Sequence, residues 1–227
     1  MSAPVVVTPT FQESATIGAL VRALVEQGAA VLVVDDDSPD GTAQLAEQHG
    51  ATVIRRVGRR GFASAYVEGL QAALALGGGP IVQMDADLSH DPADLPRLLA
   101  ALSGGAQLAL GSRYVPGGGT RNWELYRRVL SRFGSLYARA WLGLPYHDLT
   151  GGFKAWDPAL LARIDLGSLR GEGYVFQVEC TLRAARLGAT ITEVPILFTE
   201  RAGGVSKMST AVALEAGWVV PRLRWTR

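Results

Sequence analysis

The sequence predicts an α/β fold, a doubly wound sheet with helices on both faces and ligands at the carboxyl ends of its strands. Three observations predict it. Short β-rich segments alternate with helical ones through the first half, in the pattern of buried parallel strands. Two of those strands run into acidic clusters, "VVDDDSPDG" and "QMDADLSHD". Hydrophobic residues make up 48% of the 227-residue chain and charged residues 19%, enough for a sizeable core and against global disorder.

Taken in order, strands fall at "VVVT", "AVLVVD", "TVIRR", "PIVQMD" and "QLALGS". Helices fill the intervals, at Ile17–Gln27, Thr42–His49, Ala63–Leu76 and Ala93–Leu102. Asp91 precedes Pro92, the pattern of an N-cap followed by proline at the first helical position. The second half differs: "VPGGGTRN" reads as a flexible loop, a helix follows over about Trp123–Leu142, and "PYHDLTGGFKAW" approaches another strand through turns. A helix near Val175–Leu187 leads to "ATITEVPILFTE", a strand or strand pair, and then to the basic loop "RAGGVSKMS". The last segment, "AVALEAGWVVPRLRWTR", suits either an interfacial helix or a terminal core helix. With no repeat, long low-complexity tract or clear linker, residues 1–227 read as one domain.

A net charge of +1 argues against a nucleic-acid binder relying on bulk charge. Cys180 is the one cysteine, which excludes an intrachain disulfide and a Cys-rich metal site; its helical flanks mark a buried structural thiol. The amino terminus lacks a basic stretch followed by a long apolar core, and no apolar run approaches the roughly 20 residues of a membrane span, so a cytoplasmic protein is expected. No GxGxxG follows the first strand, against a dinucleotide oxidoreductase. His49, His90 and His147 have no nucleophile elbow near them, against Ser/His/Asp hydrolysis.

Asp85 and Asp87 stand two apart where a strand gives way to loop, so continued strand geometry puts both carboxylates on one face and Ala86 on the other. Adjacent carboxylates repel, and a divalent cation is one way to offset that. A solvated strand end with Asp91 as cap is the other reading, and so short a motif does not separate the two. Asp35, Asp36 and Asp37 make a second acidic strand end, suited to ribose hydroxyls or a base edge, or else to a turn into Asp40-Gly41. Glu13 lies just before the first helix, where an acidic residue is also ordinary. Opposing these are Arg113, Arg127, Arg128, Arg132, Arg201 and Lys207, residue types that hold phosphate, though any one alone reads as a surface residue. Arg55, Arg56, Arg59 and Arg60 read as a soluble rim or an approach to anionic lipid headgroups.

The segments "TPTFQE", "VVDDDSPDGT", "GFASAYVEGL", "QMDADLSHDP", "GSRYVPGG", "SRFGSLYARAWLG", "DLTGGFKAW", "GYVFQVE" and "EVPILFTERAGGVSKMS" occur in one order across nearly the whole chain. That ordered set resembles family 2 glycosyltransferases, most closely the polyprenyl- or dolichyl-phosphate mannose synthases. The resemblance implies a GT-A fold, a mixed, mostly parallel sheet flanked by helices. It implies a nucleotide-sugar-binding part over about 1–115 and an acceptor-binding part over about 116–227. The implied reaction is inverting transfer of mannose from GDP-mannose to a polyprenyl (dolichyl-type) monophosphate, with Mg²⁺ or Mn²⁺ as cofactor. The implied location is the cytoplasmic face of a membrane, contacted peripherally, with or without a separate membrane-anchor subunit. The same chemistry with UDP-glucose or another UDP-sugar is the nearest alternative; a non-catalytic subunit that binds nucleotide sugar or recruits a membrane partner is the alternative of another class.

Carried over by position, Pro9, Phe11, Glu13, Val34 and Asp36 would line the nucleotide pocket. Asp85, Ala86 and Asp87 would meet the diphosphate and metal, with Ser89 a further metal contact. Arg113, Arg201 and Lys207 would hold phosphate around the reaction centre, and Arg127 and Ser131, with Arg132 nearby, would lie at the acceptor phosphate. Catalytic roles thus fall on Asp87, Arg113, Arg127 and Ser131. The chain departs from the usual pattern at Phe11-Gln12-Glu13, where the family has Tyr-Asn-Glu, and at Asp36-Asp37-Ser38, where it has Asp-Gly-Ser. Ser89 stands where some relatives carry the longer glutamine, which implies a bridging water between it and a metal.

Overall fold

Val5, Val7, Leu32, Val34, Leu108 and Leu110 face one side of their strands and Val6, Val31, Val33 and Ala109 the other, because successive side chains of a strand alternate. Both sets are buried, which requires helices on both faces. The computed structural model, which describes residues 2–200 and 210–225, supplies them. Its strands are β1 (Val5–Thr10), β2 (Ala30–Asp35), β3 (Thr52–Arg55), β4 (Ile81–Gln83), β5 (Leu108–Ser112), β6 (Gly119–Arg121), β7 (Lys154–Trp156), β8 (Ile191–Pro195) and β9 (Leu197–Thr199). Its helices are α1 (Ile17–Glu26), α2 (Thr42–Gln48), α3 (Phe62–Leu76), α4 (Leu95–Ser103), α5 (Leu125–Leu142), α6 (Pro158–Leu161), α7 (Gly173–Arg186) and α8 (Thr210–Leu223).

Seven strands form one sheet in the order β3-β2-β1-β4-β7-β5-β8. Every pairing in it is parallel except those of β7, which runs antiparallel to β4 and β5. The sheet is therefore mixed and mostly parallel, the architecture of a GT-A fold. Residues of α1, α2 and α4 pack on one face, and those of α3, α6 and α7 on the other. α3 comes so close that a Cβ on Gly69 would sit 2.4 Å from Val7 Cγ1 and 2.8 Å from Val34 Cγ2. A third apolar cluster joins α5, α7 and the end of α8 through Ala138, Val178, Leu182, Val220 and Leu223.

Local pattern and structure part at a few places. "VPGGGTRN" contains β6, which pairs in parallel with β9 in a separate two-stranded ribbon. Glycine-rich composition conceals a strand whose partner lies almost eighty residues away. Asp91 caps as expected, its Oδ1 accepting from the Ala93 amide at 2.9 Å, but Pro92–Asp94 is a 3₁₀ turn and α4 starts only at Leu95. Cys180 is buried on α7, and burial pushes its thiol up to about 12, so it is inert as a nucleophile at neutral pH. In the terminal segment, Val220 and Leu223 are buried while Trp218 and Trp225 are exposed, so the helix has both a core face and a wet aromatic face. The segment "RAGGVSKMS" lies outside the described residues.

Candidate active site

β1 and β4 are adjacent and parallel, so their carboxyl ends open on the same edge of the sheet. There the chain leaves β1 toward Glu13 and β4 toward Asp85-Ala86-Asp87, and a cavity of about 300 Å³ lies between them. Pro9, Glu13, Asp85, Ala86, Asp87, Ser89 and Arg127 all line it, drawn from sequence positions more than a hundred residues apart. Apart from Phe62, the remaining wall comes from the second half of the chain, with Trp123, Thr150, Gly152, Tyr174, Gln177 and Phe198 on it.

The acidic edge is held from behind. Tyr66, fully buried on α3, donates its hydroxyl to Asp85 Oδ1 at 2.9 Å. Burial and then the neighbouring Asp85 push that phenol well above its ordinary value, so it stays a proton donor. The Asp85 amide points at His90 Nδ1, 3.4 Å away, and burial holds the imidazole below its ordinary value, favouring the neutral ring. Gly152 leaves room in front: a Cβ there would lie 3.2 Å from Asp85 Oδ2. The Ser89 amide donates to Asp87 Oδ1 at 3.1 Å, while the buried Ser89 hydroxyl has no hydrogen-bond partner among the described residues.

This donor set fits a hard divalent cation. Two carboxylates and an orphaned hydroxyl converge on one cavity, all oxygen donors. Among the described residues no group of three or more His, Cys, Asp or Glu forms a complete metal cage. Mg²⁺ typically takes one or two carboxylates and fills its other positions with phosphate oxygens and water.

Five predicted residues do not line this cavity. Val34 is fully buried in the core against α3, because its place on β2 turns it to the helix face. Asp36 is also buried: its Oδ2 accepts from the Gly61 amide at 2.8 Å and its Oδ1 lies 2.9 Å from Arg56 Nη1. Arg56 is consequently an interior ion-pair partner and no part of a basic rim. Phe11 carries the Arg60 guanidinium over its ring at 4.0 Å, so a cation occupies one stacking face. Ser131 is buried on α5, accepting the Tyr114 hydroxyl at 2.8 Å.

Arg113, the fifth, stands behind the cavity. It is 6% exposed and forks onto Asp148, with Nε to Oδ2 and Nη2 to Oδ1 both at 2.7 Å. Nη2 also donates to Thr150 Oγ1 at 2.9 Å, and the guanidinium lies 5.2 Å from the Trp123 ring centre and 5.3 Å from that of Phe198. Those three residues line the cavity, so Arg113 is the post behind its wall. Arg127 does reach the cavity, paired with Glu200 Oε1 and 3.8 Å from Glu124. Arg201 and Lys207 lie outside the described residues. Tyr66, Asp148, Thr150, Tyr174 and Gln177 were not singled out by sequence reasoning, although each falls inside a segment that carries the family resemblance.

Residues 5–164 match the sequence model of glycosyl transferase family 2. The chain is 43% identical over 219 residues to a polyprenol monophosphomannose synthase of Mycolicibacterium smegmatis, covering 93% of this chain and 83% of that protein. It is 45% identical over 228 residues to an undecaprenyl-phosphate mannosyltransferase of Micrococcus luteus, covering 96% and 92% respectively. Its fold matches crystalline glucosyl-3-phosphoglycerate synthase from Mycobacterium tuberculosis with a TM-score of 0.75 at 22% identity, over 100% of this chain and 81% of that one. A strand-end acidic pair on a GT-A sheet, in a chain that matches the family over most of its length, makes this protein a member of glycosyl transferase family 2.

Proposed function

We propose that the protein is a polyprenyl-phosphate mannosyltransferase, moving mannose from GDP-mannose to a polyprenyl monophosphate with inversion at the sugar C1. One observation carries the reading. Arg127 reaches the cavity from α5, and the same helix turns Leu125, Tyr126, Val129, Leu130 and Phe133 outward, with Phe133 64% exposed. Its inward residues are the small Ser131, Ser135 and Ala138. An ordinary surface helix has the reverse pattern. A cation at the foot of an exposed apolar stripe suits a ligand that is phosphate at one end and hydrocarbon at the other. The names of the two bacterial relatives support the same substrate class.

The acceptor is a phosphate monoester whose second pKa is about 6, so it is largely dianionic at neutral pH and needs little help from a general base. The harder tasks are bringing two anions together and stabilising the departing diphosphate. Asp85 and Asp87, with Ser89 through a water, would hold the Mg²⁺ or Mn²⁺, which when bound supplies Lewis-acid stabilisation of the leaving diphosphate. Arg127 offsets the acceptor's charge and aligns its oxygen, and Glu200 and Glu124 keep that guanidinium at the cavity wall. Tyr66 steers Asp85. Arg113 is a positioning residue for Trp123, Phe198 and Thr150. Arg201 and Lys207 are proposed from the resemblance alone as phosphate ligands.

A donor panel tests the reading: GDP-mannose against UDP-glucose, with one short polyprenyl phosphate and either Mn²⁺ or Mg²⁺. Lipid-linked product from GDP-mannose is expected. Product from UDP-glucose alone overturns the donor, and no product from any donor favours a silent subunit. Arg127→Ala is expected to raise KM for the lipid phosphate about ten- to hundredfold, the scale of a lost charge-assisted hydrogen bond, with GDP binding unchanged. Equal losses for lipid phosphate and GDP would remove Arg127 from the acceptor site.

The exposed stripe on α5, flanked by exposed Arg128 and Arg132, supports peripheral docking on the cytoplasmic face of a membrane. Among the described residues no helix is long and apolar enough to cross one. Replacing Leu130 and Phe133 together with glutamate is expected to cut binding to anionic vesicles at least about tenfold. Undiminished co-sedimentation of that variant with vesicles would disprove the docking face.

A further inference from the structure

A glutamine carboxamide offers an acceptor oxygen and two N–H donors, and folded chains seldom bury one with neither end paired. Gln177 is such a case. It is 1% exposed, and among the described residues neither its Oε1 nor its Nε2 has a hydrogen-bond partner. It lies on the cavity wall with Tyr174 and Gly173, which share its side of α7 because residues three and four apart on a helix are neighbours.

The turn that carries it is rigidly seated. The Gln177 backbone carbonyl accepts from Lys154 Nζ at 2.6 Å and from Thr181 Oγ1 at 3.1 Å, and Lys154 is itself buried on the sheet's antiparallel strand β7. The main chain is fixed by two bonds, while the polar end of a side chain on the cavity wall is left unmatched.

The chemistry of the missing partner follows from what a carboxamide requires. A phosphate offers only acceptors and would leave Oε1 unpaired; a metal ion would leave Nε2 unpaired. Neighbouring hydroxyls of a sugar ring offer a donor and an acceptor together, which answers both ends at once. The acidic pair that would meet the diphosphate lies on the same cavity, so a sugar joined to that diphosphate would share the enclosure that Gln177 lines. We infer that Gln177 binds hydroxyls of the transferred sugar and is a specificity-determining residue for it, an inference that rests on the transferase reading above.

Calorimetric titration of the whole protein with GDP and with GDP-mannose, in Mn²⁺, separates this role from a structural one. Gln177→Leu keeps the side-chain volume and removes an unpaired polar group, so its melting temperature is expected to hold or rise. Its Kd for GDP-mannose is expected to rise about ten- to hundredfold, while its Kd for GDP stays within about twofold. Its kcat/KM preference for GDP-mannose over GDP-glucose, which differ at one hydroxyl, is expected to narrow about tenfold. Gln177→Met, unbranched and of similar length, is the second variant should leucine pack poorly. Unchanged GDP-mannose affinity in a folded variant, or equal weakening toward GDP and GDP-mannose, overturns the role of Gln177. Failure of the wild-type protein to bind GDP-mannose while it transfers another sugar would instead overturn the donor reading, and this inference with it.

Discussion

Asp87→Ala is expected to lower kcat/KM for lipid-linked product at least about a thousandfold while the protein stays folded. Asp87 is half-buried, and the hydrogen bond its Oδ1 accepts from the Ser89 amide at 3.1 Å is worth about 1 kcal/mol of stability. Its proposed part in the reaction is larger. Lewis-acid stabilisation of a leaving diphosphate contributes several kcal/mol, and each 1.4 kcal/mol or so is a factor of ten in rate. The measurement is product formation across an Mn²⁺ titration, alongside a thermal melt. A variant that melts like wild type and has lost metal-stimulated transfer supports the assignment. Metal-dependent transfer at wild-type rate would take Asp87 out of the metal site.

The largest stability loss is expected at Asp148→Ala, about 3–5 kcal/mol, because it strands the buried Arg113 guanidinium without its counter-charge. For a chain of this size that is roughly 6–20 °C in Tm. Activity should fall with stability, since Arg113 stands behind Trp123, Phe198 and Thr150. Arg113→Ala discriminates between its two roles. A phosphate ligand would lose kcat with little change in Tm, whereas a wall post loses both. Burial alone would push the Asp148 carboxyl up, but Arg113 and its hydrogen bonds override this and hold it below its ordinary value. A depressed folded-state pKa stabilises fully above the ordinary value near 3.8, and that stability is lost as pH falls through the lower folded value. The wild type should therefore lose this contribution only in strong acid, while Asp148→Asn lacks it at neutral pH. An Asp148→Asn variant with wild-type Tm and activity would dismiss the post.

Much of this was legible in the chain because it depends on near neighbours. Apolar runs such as "AVLVVD" make buried strands wherever they pack, and Asp91 caps its turn through a bond two residues away. Asp85 and Asp87 follow β4, so their exit at a sheet edge follows from local order alone. Family resemblance extended the reading to Glu13 and Arg127, which do line the same cavity.

The remainder depended on partners distant in sequence. β6 exists only because β9 lies beside it, and a glycine-rich stretch gives no local sign of that pairing. Arg113 and Asp36 are residue types that bind phosphate and ribose, and nothing in their neighbours reveals that Asp148 and Arg56 engage them inside the protein. Gln177 reads as one polar residue in a helix until the fold buries its side chain, unpaired, at the cavity wall. The sequence by itself determined the strands, the helices and the chemical types gathered at the strand ends, because those follow from periodicity and adjacency. Only tertiary structure decided which charges face a ligand and which face each other, because desolvation and pairing depend on what lies across the fold.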